Sequence, residues 1–68
     1  MEKFQLKGDF IKLDQLLKAT NIASSGGEAK IYIYSQLVTV NGVTAEQRGK
    51  KIRKGDIVQY KDKKIEVI

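Results

Sequence analysis

The chain has 68 residues, 41% of them hydrophobic, and carries 13 Lys and Arg against 8 Asp and Glu, a net charge of +5. That is room for one domain or a fragment of one, with enough apolar residues for a small core and too many for a disordered tail. Cys, His, Pro and Trp are all absent, which removes disulfides, Cys/His zinc sites, imidazole bases and Ser–His or Cys–His nucleophiles.

Along the chain, Phe4-Gln5-Leu6 alternates and is expected as a short edge strand, closed by Gly8-Asp9. From Phe10 the period changes. Phe10, Leu13, Leu16, Leu17 and Thr20 recur at three and four residues, one apolar stripe of a helix that should stop near Thr20-Asn21. Asp14 falls in its first turn, where the helix dipole favours a carboxylate, and Lys18 follows four residues later. Ile22-Ala23 reads as a packed link.

Ser25-Gly26-Gly27-Glu28 has the form of a capping box: the Ser25 hydroxyl accepts from the Glu28 amide, and the Glu28 carboxylate reaches back to the Ser25 amide. The following Ile31-Tyr32-Ile33-Tyr34 has strand propensity. The start signal decides for a helix from Gly26 to Gln36. Val38-Thr39-Val40 is a strand ending in the turn pair Asn41-Gly42. A loop then runs through a basic cluster to Gly55-Asp56, and Ile57–Tyr60 with Ile65–Ile68 forms a terminal hairpin bent at Lys61 to Lys64. The order β-α-α-β-β-β predicts an α+β fold, a two-helix hairpin packed on a small, mostly antiparallel sheet.

Charge is unevenly placed. Residues 1–47 hold five bases and five acids, whereas residues 48–68 hold eight bases and three acids, the whole of the +5 excess. It is concentrated in Arg48-Gly49-Lys50-Lys51-Ile52-Arg53-Lys54, a local field that favours a polyanion. The bland alternative is a solvated loop. Ile52, the single apolar residue in the run, argues for anchoring to the core. Gly26-Gly27 leaves backbone amides uncovered at a helix start, where an anion can sit; plain capping competes, because Glu28 puts a carboxylate in the same place. The acids form no pair spaced for acid–base work, and no base is available to activate Lys, Ser or Thr, so no catalysis and no cofactor are expected. The longest apolar run, Ile31 to Tyr34, is far below the ~20 residues a membrane span needs. Met1 to Phe10 has no signal-peptide core, so the expected location is the cytoplasm.

Ile11-Lys12-Leu13-Asp14-Gln15-Leu16-Leu17-Lys18, then Ser25-Gly26-Gly27-Glu28-Ala29-Lys30, then Val38-Thr39-Val40-Asn41-Gly42 and Gly55-Asp56 stand in one order over nearly the whole chain. Together they resemble the S-four RNA-binding domain, in the form of its stand-alone YaaA/YbcJ-like subfamily. Two positions depart from the wider family: Gly26 replaces an Arg after the helix-starting Ser, and Gln36 replaces a Gly before the strand. The first removes a phosphate contact; the second asks a non-glycine residue to end the helix, in a left-handed conformation. The resemblance implies binding of structured RNA, ribosomal RNA or a ribosome-assembly intermediate, with no membrane and no small-molecule substrate. Candidate RNA-binding residues are Lys12, Ser25, Gly26, Gly27, Lys30, Asn41, Arg48, Lys50, Lys51, Arg53 and Lys54. Two other readings stay open: an adaptor docking on an acidic protein, and DNA binding through the helix pair.

Overall fold

Leu13, Leu16 and Leu17 lie on one helical face, and all three are fully buried in helix α1 (Leu13–Ala19). The second helix, α2 (Gly26–Tyr34), buries Ala29 and Ile33. In the computed structural model, which describes residues 1–68, seven short strands accompany the helices: β1 (Glu2–Phe4), β2 (Ile11–Lys12), β3 (Val38–Val40), β4 (Val43–Thr44), β5 (Lys51–Ile52), β6 (Ile57–Tyr60) and β7 (Lys63–Val67). Five of them form a sheet in the order β1-β7-β6-β3-β4, and β2 pairs with β5 in a separate ribbon. Only the β1–β7 edge pair of the larger sheet is parallel.

Strand alternation sorts the sheet into two faces. Val38 and Val40 of β3, Val58 of β6, and Ile65 and Val67 of β7 are buried and join the leucines of α1 in one core of 15 residues. Between them Thr39 pairs with Gln59, and Gln59 with Lys64, on the polar face. Ile22 and Ala23, in the link between helices, are buried in the same core.

Both helices end on a left-handed residue that is not glycine. Asn21 (φ 62°) follows α1 and Gln36 (φ 63°) follows α2. At the second, the Gln36 amide donates to the Ile33 carbonyl at 3.0 Å and the Leu37 amide to the Tyr32 carbonyl at 3.1 Å, the paired bonds of a Schellman ending. Gln36 thus ends the helix where the resemblance leads one to expect a glycine, at a conformational cost of roughly 1 kcal/mol.

Several boundaries differ from the sequence reading. The helical stripe begins at Leu13, not Phe10, because Ile11 and Lys12 are taken into the ribbon with β5 and Lys12 is extended (φ −70°, ψ 145°). The edge strand runs from Glu2 to Phe4; Leu6 lies beyond it, buried, with its amide donating to the Ile68 carbonyl at 2.7 Å. Helix α2 stops at Tyr34, two residues before Gln36. The terminal bend contains only Lys61 and Asp62, since Tyr60 pairs with Lys63. The expected loop from Asn41 to Gly55 contains two further strands, β4 and β5.

Candidate nucleic-acid interface

The β2–β5 ribbon is two residues deep on each side, with Ile11 opposite Ile52 and Lys12 opposite Lys51. Ile52 is fully buried and Ile11 packs against the core, so the neighbours of each isoleucine are turned to the other face. That outer face carries Phe10, Lys12, Lys51 and Arg53, all exposed. The Lys51 Nζ stands 4.8 Å from the centre of the Phe10 ring, and the Arg53 guanidinium carbon 5.8 Å from it. Lys12 and Lys51 are like charges set directly opposite, an arrangement that is unfavourable in an isolated sheet.

The loop leading into the ribbon is fixed by main-chain bonds. Helix α1 has no side-chain cap; instead the Leu13 amide donates to the Lys50 carbonyl at 2.9 Å and the Asp14 amide to the Arg48 carbonyl at 3.0 Å. The orphan donors of a helix start therefore hold the backbone of the basic loop. Beyond the ribbon, Arg53 to Asp56 forms a tight turn. The Asp56 amide donates to the Arg53 carbonyl at 3.1 Å, and the Asp56 carboxylate accepts from the Arg53 amide at 2.8 Å. Lys54 is displayed on this turn.

Asn41 is also part of the turn's support. At φ 51° it opens, with Gly42 at φ 83°, the two-residue connection between β3 and β4. Its Nδ2 donates to the other Asp56 oxygen at 3.0 Å, and its Oδ1 accepts from the Ile57 amide at 2.8 Å. Asp56 is the only acid between Arg48 and Tyr60, and its two oxygens are used on Asn41 and on the Arg53 backbone. The Asn41 amide is thus occupied in holding the basic turn.

At the start of α2, the Ser25 hydroxyl accepts from the Glu28 amide at 3.1 Å, as expected of the cap. The reciprocal bond differs by one residue: the Glu28 carboxylate accepts from the Ser24 amide at 3.0 Å, not from Ser25. That bond, and after it the neighbouring Tyr32 hydroxyl, hold the Glu28 carboxyl below its ordinary range. The Tyr32 phenol is pushed up to about 12, first by the neighbouring Glu28 carboxylate and then by burial. Tyr32 in turn stacks on Tyr60, with ring centres 4.5 Å apart. Tyr32 packs against the core, whereas Tyr34 is exposed. Gly26 and Gly27 are not demanded by the fold: neither has a positive φ, and an added Cβ would meet nothing at Gly26 and only the Ser25 Oγ at 3.9 Å at Gly27.

The candidate residues therefore fall into two groups. Lys12, Arg48, Lys50, Lys51, Arg53 and Lys54 meet at the ribbon and the start of α1, with Asn41 bound to their turn. Ser25, Gly26, Gly27 and Lys30 lie on α2, which packs on α1. Phe10 stands on the outer face of the ribbon and not in the helical stripe that its spacing suggests. The sequence signal for it is the pair of matched triplets Phe10-Ile11-Lys12 and Lys51-Ile52-Arg53, each with one isoleucine between outward residues.

A small α+β fold with a helix pair over a mostly antiparallel sheet, and a basic ribbon beside the first helix, defines the class. The S4 domain model matches residues 4–68, and this chain belongs to that family. It is 37% identical over 51 residues to the "Probable ribosome maturation protein RlbA" of Bacillus subtilis (strain 168), a match that covers 75% of this chain and 72% of the relative.

Proposed function

We propose that this protein binds structured RNA, without catalysis, through the outer face of the β2–β5 ribbon and the basic loop before it. One observation carries the reading. The backbone of residues 48–54 is held in place by two carbonyl bonds to α1 and by buried Ile52, while the Asp56 carboxylate is spent on the turn. A fixed array of this kind meets phosphates without first losing the entropy of a mobile loop. The opposed Lys12 and Lys51 gain from an anion placed between them.

Contact with phosphate and with the shape of a helix or stem-loop would dominate over base reading, since Lys and Arg prevail on this surface. The expected target is ribosomal RNA or a ribosome-assembly intermediate, in a cytoplasmic setting. The relative named as a probable ribosome maturation protein supports that choice. Lys30, Ser25, Gly26 and Gly27 would add a second contact along α2, since glycines that the fold does not require leave its first amides open to a partner.

Crosslinking in cells, followed by sequencing of the attached RNA, tests the target directly. Recovery of ribosomal RNA or its precursors is the expected result, and recovery of no RNA above background would overturn it. In vitro, neutralising about four phosphates should give a slope of log K on log salt of roughly −3. A salt-insensitive association, or equal affinity for an acidic protein, would favour the adaptor reading instead.

A further inference from the structure

Phe10 is 39% exposed and sits among cations, yet the ribbon register leaves it no place in the core. On one side it borders an open groove of about 340 Å³, formed by Phe4, Leu6 and Ile11 with Gln5 and Lys7. We propose that this groove receives an unpaired nucleobase of the bound RNA, with Phe10 as the stacking surface and Lys7, Lys51 and Arg53 on the flanking phosphates. The inference rests on the RNA-binding reading above and adds to it the local structure of the RNA recognised.

The occupant follows from the pairing of chemistries. A nucleotide joins a flat, weakly polar ring to an anionic phosphate. The site joins a flat ring and an apolar floor to cations at 4.8 and 5.8 Å from the ring centre. The Gln5 amide at the groove supplies a donor and an acceptor for a base edge. The cations resting near the phenyl ring do not block it. An exposed cation–π contact is worth about 0.5–1 kcal/mol, less than the charge-assisted bonds that a phosphate offers the same side chains. Arrival of the nucleotide therefore exchanges a weaker contact for a stronger one and uncovers the ring. A fully paired helix, whose bases are already stacked, gains nothing from the groove.

The test compares a duplex RNA carrying a single bulged adenosine with the same duplex without the bulge, measured by fluorescence anisotropy. The wild type should favour the bulged RNA. Phe10→Leu keeps an apolar support for the Lys51 and Arg53 stems and removes the aromatic plane, so it should erase that preference, a loss of roughly 5- to 150-fold on the bulged RNA alone. Lys50→Gln, in the basic loop and outside the groove, should weaken both RNAs alike. As a second reading, Phe10→Trp places the chain's only tryptophan at the site, and its emission should change on binding the bulged duplex and stay unchanged with the paired one. Equal loss on both RNAs in Phe10→Leu, or no preference in the wild type, would overturn the inference and leave the RNA-binding reading standing. Binding of neither RNA by the wild type would overturn both.

Discussion

The two basic stretches of the last third differ in what surrounds them. Residues 48–54 contain five bases, and their carbonyls cap α1, their Ile52 is buried, and their strand pairs with β2. Residues 61–64 contain three lysines around Asp62 at the tip of the β6–β7 hairpin. There Lys61 is left-handed at φ 55°, its carbonyl accepts from the Gln59 side chain at 3.0 Å, and its ammonium lies 5.4 Å from the Tyr60 ring. Lys63 and Lys64 are strand residues paired with Tyr60 and Gln59, so an anchored backbone is common to both stretches. The difference lies in what stands beside them: residues 48–54 adjoin Lys12 and the start of α1, where more positive charge converges, whereas the second stretch surrounds Asp62 at a hairpin tip. Charges of one sign that converge raise the local field on a polyanion more than the same charges dispersed.

Replacing Lys50, Lys51, Arg53 and Lys54 together with Gln should weaken RNA binding by about 100-fold or more and flatten the salt slope. The matching change of Lys61, Lys63 and Lys64 to Gln should cost about fivefold or less by the same titration. Circular dichroism should show both variants folded. Comparable losses from the two would mean that the field is diffuse and that convergence of charge at the ribbon does not matter.

The anchor itself is the next target. Ile52→Ala should destabilise the chain by about 2–5 kcal/mol, and Ile52→Val by about 0.5–1.5 kcal/mol, as read by urea unfolding. For a chain this small the first is comparable to the whole stability. Ile52→Val should stay folded, and weaker RNA binding by it would link packing beneath the ribbon to function. At the other stretch the sign reverses: Lys61→Gly should stabilise by about 1 kcal/mol, because it relieves the left-handed backbone.

The cap of α2 decides whether the ribbon acts alone. Ser25→Ala should cost about 0.5–2 kcal/mol, partly recovered in melting temperature when RNA is bound. Glu28→Gln removes the carboxylate charge while an amide oxygen can still accept from the Ser24 amide. Tighter RNA binding by this variant at low salt would add the Gly26-Gly27 amides to the interface; unchanged affinity would leave the start of α2 as a cap only.

The smallest effects are in pH. The Glu28 carboxyl is lowered from 4.5 in the folded chain, so its contribution to stability is present above pH 4.5 and lost as pH falls through the lower folded value. The Tyr32 phenol is raised from 10.0 to about 12, so its contribution is present below pH 10 and lost as pH rises toward 12. Glu28→Gln should remove the acid-side loss and, by deleting the charge beside Tyr32, reduce the alkaline one. Urea midpoints taken across both ranges check this.

Much of the fold was legible because local signals agreed with the final packing. The stripe Leu13, Leu16, Leu17 and the Ser25 cap marked the helices, and Val38-Thr39-Val40 with Asn41-Gly42 marked a strand and its turn. The left-handed Gln36 was expected from the glycine it replaces. Legibility failed where a strand is two residues long. Ile11–Lys12 and Lys51–Ile52 are too short to show a period, and each becomes a strand only because the other lies beside it.

The sequence by itself determined which residues could make the core, where the first helix ends and the second begins, and that the positive charge collects after residue 47. Those properties depend on neighbours within a few positions, through side-chain spacing, capping and turn conformation. The tertiary structure decided that Phe10 leaves the helix for the ribbon, that Lys12 faces Lys51, and that the carbonyls of Arg48 and Lys50 cap α1. It also decided that Asn41 holds the basic turn through Asp56, 15 residues away in the chain. Each of these is a pairing between distant segments, and a backbone donor or acceptor carries no mark in the sequence of the partner it will find.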